Sequence, residues 1–289
     1  MILERHFTIT DLPQPRSIRA ALQHWLIPRK WQHELRVQRS ILVNNTYQPF
    51  NHLVHDGDQI DLTLNLQLPQ QHYLPAAQVN FTVVYEDSDL LIINKPAGIK
   101  THPNVPQETQ TLFNQVRTYF LNKQPLMIHR LDKLTSGLIM VGKNPLVIPI
   151  LERQLAQKTM QRQYLAVTAY QAQVPKQGSI IAPIGRRDLH STRRCLDSQG
   201  SFAQTDYRIL QHNRRYALVQ LNLKTGRTHQ IRLHLQKIGL PILGDPLYGN
   251  EPAARMYLHA MKLTYQIPFT AKQRQVETLA PSEFYHLTT

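Results

Sequence analysis

The run His129-Arg130-Leu131-Asp132-Lys133-Leu134-Thr135-Ser136-Gly137-Leu138 sets one acid among basic residues, immediately before an apolar stretch of strand character at 138–141. Gly137 can adopt positive φ, so the acid sits on a tight turn at a strand entrance, accessible but held. An aspartate in a loop is far more often a turn or cap residue than a catalytic one, so its surroundings decide. Upstream, strands are expected at 81–85 and 90–94, joined through the polar turn Glu86-Asp87-Ser88-Asp89. Helical periodicity follows around Leu112, Val116 and Tyr119 and again over 146–156. Downstream, strands are expected at 164–168, 205–210 and 217–223. A helix should then run from Thr228 as N-cap, with Ile231, Leu235 and Ile238 on one stripe, to Gly239 and Pro241. Many strands mixed with helices give an α+β fold.

Lys and Arg number 33 against 19 Asp and Glu in 289 residues, a formal charge of +14. That excess points to a polyanion, and the scatter of paired cations (Arg29-Lys30, Arg186-Arg187, Arg193-Arg194, Arg214-Arg215) favours nucleic acid over a single phosphate pocket. One cysteine, Cys195, leaves no intrachain disulfide and no thiolate metal centre, as expected for a reducing compartment. The first ten residues lack the apolar run of a secretory signal, and no stretch approaches the ~20 apolar residues of a membrane span. The chain is therefore expected in the cytoplasm, away from membranes. Residues 1–66 read as a small basic unit with two helices, near 17–26 and 31–38, and short strands. The Gln- and Pro-rich stretch 67–78 reads as a linker, and 79–289 as the main domain.

The run 129–138 resembles the signature of the RluA-type pseudouridine synthases, in which the aspartate is the essential catalytic residue. Asn94-Lys95-Pro96-Ala97-Gly98 with His102-Pro103, Gly226-Arg227-Thr228-His229-Gln230-Ile231-Arg232-Leu233-His234, and Pro241-Ile242-Leu243-Gly244-Asp245 with Tyr248-Gly249 are similar to the family's other segments, in the family's order. The resemblance implies the pseudouridine synthase fold, with a mixed, mainly antiparallel sheet, and an enzyme that isomerises uridine in ribosomal or transfer RNA. It implies Asp132, Tyr164 and Arg232 as the catalytic set, with Arg232 paired to Asp132 and the Tyr164 ring packed on the target uracil. Arg162 stands where lysine is usual and Tyr170 where glycine is common. Arg130, Arg227, Lys95 and His129 are the implied RNA contacts, with Arg130 filling the gap left by a flipped base. Residues 1–66 resemble, more loosely, an αL-type RNA-binding domain in which Asn45 replaces the usual glycine.

Pseudouridine formation breaks the bond from sugar to N1 of uracil and rejoins the sugar at C5, with nothing oxidised. It needs one carboxylate in a pocket from which the freed base cannot escape, whereas glycoside hydrolysis calls for two. Attack on the sugar, attack on the base ring and proton abstraction from the sugar all remain open roles for Asp132. No cofactor or metal is expected: the 14 histidines are scattered, and His33-Glu34 lacks the second histidine of a zincin helix. A catalytically silent RNA-binding or ribosome-assembly protein on the same fold is the alternative that the charge alone allows. The absence of a coiled-coil pattern favours a monomer.

Overall fold

A computed structural model describes residues 1–10, 12–66, 73–121, 123–188 and 193–289, and six positions of the expected linker, 67–72, lie outside the described residues. The chain divides into two compact units, one of residues 1–72, 142–160 and 264–275 and the other of 73–141, 161–263 and 276–289.

The first unit carries a four-stranded antiparallel sheet in the order Ile2–Thr8, Gln59–Asn65, Ile41–Val43, Thr46–Tyr47. Asn44 and Asn45 make its tight turn, both at positive φ (49° and 66°). Asparagine tolerates that region as few residues do, and a two-residue hairpin loop with both φ positive matches the strand twist. Two helices follow the expected positions, Ile18–His24, capped by the Ser17 hydroxyl accepting from the Ala20 N–H, and Arg29–Val37. Ile18, Leu22 and Leu35 face inward with Ile41, Ile60 and Leu62, while Arg19, Arg29, Lys30, Arg36 and Arg39 lie at the surface or close to it. A stripe of aliphatics thus pins the helices down and leaves a basic face to solvent.

The second unit is built on a mixed, mainly antiparallel sheet whose main path runs Gln177–Ile181, Gln204–His212, Tyr216–Leu223, Gln161–Ala169, Leu258–Gln266, Ser136–Gly142, Leu90–Lys95, Thr82–Glu86. The expected strands at 81–85, 90–94, 138–141, 164–168, 205–210 and 217–223 all lie on it. The turn before Leu90 is closed by the Asp87 carboxylate, which accepts from the Asp89 and Leu90 N–H groups. Ser136–Gly142 is buried along its whole length, as suits a central strand.

The parallel pairing of Ser136–Gly142 with Leu258–Gln266 sets the site. Ser136 pairs with His259 and Gly137 with Ala260. Gly137 has φ +111°, and a Cβ there would fall 2.2 Å from the Ala260 carbonyl oxygen. Only glycine lets the strand start so close to its neighbour, which fixes where the preceding loop, with Asp132, must emerge. The late helix spans Gln230–Lys237. Its N-cap is His229 in the left-handed region, φ +59°, not Thr228, which lies exposed one residue earlier.

Candidate active site

The Asp132 loop is stapled to the segment that follows Leu90–Lys95. The Thr101 hydroxyl donates to the Leu131 carbonyl (2.7 Å) and accepts from the Leu131 N–H (3.1 Å), and the Gly98 N–H donates to the Lys133 carbonyl (2.8 Å). Leu131 is buried in the core beneath. The Asp132 side chain is left 23 % exposed, at the meeting of a cleft of about 760 Å³ and a smaller inner pocket of about 70 Å³. Lys100, Arg130, Lys133, Arg186, Arg194 and Arg232 line the cleft with it, so among the described residues Asp132 is the sole carboxylate in a basic wall.

Arg232 reaches this point from the helix Gln230–Lys237. It is buried, and its main partner is not Asp132 but Asp245: Nε to Oδ2 and Nη2 to Oδ1, both 2.7 Å. Its third nitrogen, Nη1, lies 3.4 Å from Asp132 Oδ2. Asp245 Oδ1 also accepts from the Leu247 and Tyr248 N–H groups. The guanidinium lies 5.0 Å from the Tyr248 ring centre, within cation–π range. Burial alone would lower the Arg232 pKa, but the bonds and charge of Asp245, joined by Asp132, push it up. Burial would likewise raise Asp245, and the Arg232 fork holds it below its ordinary value. A bidentate pair in so dry a place fixes the guanidinium plane, so one cationic N–H is held beside Asp132.

Tyr164 is buried on Gln161–Ala169 and lines the inner pocket with Asp132, Arg162 and Arg232. Burial pushes its phenol up, with Arg162 opposing and Asp132 adding, so it stands as a neutral donor. Arg130 is exposed and lines both cavities. Arg227 is exposed at the inner pocket, with Nε donating to the Phe202 carbonyl at 3.1 Å. The structure thus brings Asp132, Tyr164, Arg232, Arg130 and Arg227 together.

Two expected RNA contacts are placed otherwise. Lys95 is fully buried, and its ammonium donates to the carbonyls of Pro96 (2.8 Å), Ile99 (2.9 Å) and Lys133 (3.3 Å). It ties the loop down and has no path to a phosphate, and burial lowers its pKa to about 7. His129 is half-buried, its Nε2 accepts the Met140 N–H at 3.2 Å, and burial lowers its pKa to about 3. A neutral ring used to hold backbone offers RNA no positive charge.

Three further residues of the site, Asp245, Tyr248 and His229, belong to the matching segments but receive no role from sequence alone. A fourth, Gln230, is buried, its amide donating to the Gln204 carbonyl and the Thr205 hydroxyl while its oxygen accepts from Thr225 and the Arg227 N–H. It anchors the loop that delivers Arg227 and His229. Among the described residues, no group of three or more His, Cys, Asp or Glu is arranged to hold a metal ion, and no helix is long and apolar enough to cross a membrane.

The arrangement can hold a carboxylate and a tyrosine ring against a flat polar ring, with cations for a phosphate backbone beside them. Comparison with known proteins agrees. Residues 89–237 match the family model described as RNA pseudouridylate synthase, and 5–60 match that of the RluD ribosomal pseudouridine synthase N-terminal domain. The chain is 34 % identical over 280 residues to an RNA pseudouridine synthase of Bacillus subtilis, YhcT, covering 94 % of this chain and 88 % of that one. It is 33 % identical over 284 residues to the ribosomal large subunit pseudouridine synthase D of Nitrosomonas europaea, covering 93 % and 79 %. Among solved structures it is similar to human RNA pseudouridylate synthase domain containing 1, with 26 % identity, a TM-score of 0.61 and coverage of 78 % and 91 %.

Proposed function

The chain belongs to the RNA pseudouridylate synthase family and is an RNA pseudouridine synthase, and from that premise we propose that it isomerises particular uridines of ribosomal RNA through the carboxylate of Asp132, without cofactor or metal. The observation that carries this reading is Asp132 itself, the sole acid among the described residues of a basic cleft, with an arginine held beside it by a second carboxylate. The name of the Nitrosomonas relative favours ribosomal over transfer RNA.

In this reading the target uridine leaves its stack, at a cost of a few kcal/mol, and its base enters the inner pocket against Tyr164. Arg232 steadies the carboxylate while the bond to N1 breaks, and the freed uracil stays bound against Tyr164. The base turns, C5 joins the sugar, and the hydrogen on C5 is lost as a proton while N1 gains one from solvent. Arg130 stacks in the gap, and Arg227 meets phosphate. Residues 1–66 serve as the small RNA-binding domain and 79–289 as the catalytic domain. The enzyme works as a monomer in the cytoplasm.

The test uses unmodified transcripts of large-subunit ribosomal RNA and of transfer RNAs, with pseudouridines mapped by carbodiimide blocks to primer extension. Modification of a discrete set of uridines in the ribosomal transcript is expected. Modification confined to transfer RNA would refute the substrate assignment.

A further inference from the structure

The Tyr248 hydroxyl has one hydrogen and three polar neighbours: the Arg194 N–H at 2.9 Å, the Arg194 carbonyl at 3.1 Å and His229 Nδ1 at 3.0 Å. One assignment satisfies all three. The hydroxyl donates to the carbonyl and accepts from both the Arg194 N–H and a hydrogen on His229 Nδ1. In a neutral imidazole the hydrogen on Nδ1 leaves Nε2 as a bare acceptor. That Nε2 lies 3.9 Å from Asp132 Oδ2.

Asp132 Oδ2 already accepts from Arg232 Nη1, so of the two facing acceptors it is Nε2 that is left to take a donor from a ligand. The ring is held there at some conformational cost, since His229 sits at φ +59°, with its plane edge-on to Tyr248 at 5.5 Å. It lines both the cleft and the inner pocket. A nucleotide inside an RNA chain has its 3′ and 5′ oxygens esterified, so its sugar carries a single O–H, on C2′. That carbon adjoins C1′, the carbon whose bond to the base is broken and remade. We propose that His229 Nε2 accepts the 2′-hydroxyl of the target uridine, holding the ribose against Asp132 and making the enzyme sense the sugar of the nucleotide it modifies. This rests on the function proposed above, and no proton changes hands in it.

The groups that face His229 are Asp132 from its loop, Arg232 from the helix, Asp245 and Tyr248 from the segment beyond, and Arg194 from the strand Arg194–Leu196. Burial, opposed by Asp132 and seconded by Arg232, keeps the ring below its ordinary pKa and so neutral near pH 7. Protonation at acid pH would turn Nε2 into a donor to Asp132 and end its capacity to accept.

The experiment measures single-turnover rates on a short RNA hairpin carrying one mapped target, either uridine or 2′-deoxyuridine, with all other sugars unchanged. Wild type should lose about tenfold on the deoxy target, the scale of one neutral hydrogen bond. His229→Phe should lose about tenfold on the ribose target and nothing further on the deoxy one. His229→Gln, whose amide oxygen can still accept, should keep part of the ribose preference, and Tyr248→Phe, which frees the tautomer, should weaken it. Below the His229 pKa the wild-type preference should vanish. Equal losses from the deoxy sugar in wild type and His229→Phe, or no preference in wild type, would overturn the inference. Absence of turnover on every RNA would instead refute the function on which it rests.

Discussion

Replacing Asp245 by asparagine keeps the shape of the side chain and removes the charge that holds Arg232. Asp245 is fully buried and accepts four hydrogen bonds, two from Arg232 and one each from the Leu247 and Tyr248 N–H groups. An asparagine has one oxygen. Whichever way its amide turns, its N–H donor faces the guanidinium, and in one of the two orientations it faces both backbone N–H groups as well. Arg232, itself only 4 % exposed, keeps a single ionic partner, Asp132, at the longer 3.4 Å. Removing one member of a buried pair costs about 3–5 kcal/mol, because the other charge stays in the dry interior. For a domain of this size that is a fall in Tm of roughly 6–20 °C. Turnover should also fall, by about 100-fold or more, as the guanidinium swings toward Asp132 and binds the carboxylate that must react. Thermal unfolding and single-turnover isomerisation on a ribosomal RNA transcript read the two effects. The double variant Asp245→Leu with Arg232→Met should be more stable than either single one. A stability change of asparagine within about 0.5 kcal/mol, the ordinary scatter of surface substitutions, together with unchanged turnover, would refute the claim that Asp245 positions Arg232.

Gly137→Ala should unfold the protein or lower its Tm sharply, since the new methyl would meet the Ala260 carbonyl at 2.2 Å in a backbone conformation that alanine avoids; differential scanning calorimetry measures it. His129 and His259 have pKa values lowered to about 3 and about 4 from 6.5. The unfolded chain therefore binds more protons between those values, so stability should be full above pH 6.5 and decline as pH falls through that window, with His129→Gln flattening the slope in urea titrations at several pH values. Arg130→Ala and Arg227→Ala should weaken RNA binding and reduce the slope of log affinity against log salt by about one for each phosphate the arginine neutralises, whereas Lys95→Met, buried under three carbonyls, should lower stability and leave that slope alone.

The legible parts of the site are those written locally. The turn from Asp132 to Gly137 announces itself through one acid, one glycine and an apolar run, and the strands through their β-branched and aliphatic residues. Ile2–Thr8 is hidden because Glu4, Arg5 and His6 interrupt any apolar alternation; no residue of it is buried. Thr228 has the chemistry of a cap, but the buried Gln230 amide and the Tyr248 hydroxyl hold the loop so that His229 takes the capping place. Burial of Lys95 and His129 leaves no local trace, because basic residues are mostly exposed and a sequence gives no sign of the backbone groups that receive them. The Arg232–Asp245 fork joins a helix to a loop thirteen residues on, a pairing made by tertiary packing and invisible to periodicity.

Release of tritium from C5-labelled uridine in unmodified ribosomal RNA, by the wild type and by Asp132→Ala, with RNA binding measured on both, bears on the catalytic carboxylate without intermediary. The label leaves only when C5 is bonded to the sugar. Release by the wild type, and loss of release with binding retained in the variant, is the predicted result; release by Asp132→Ala at the wild-type rate would contradict the assignment of the reaction to this carboxylate.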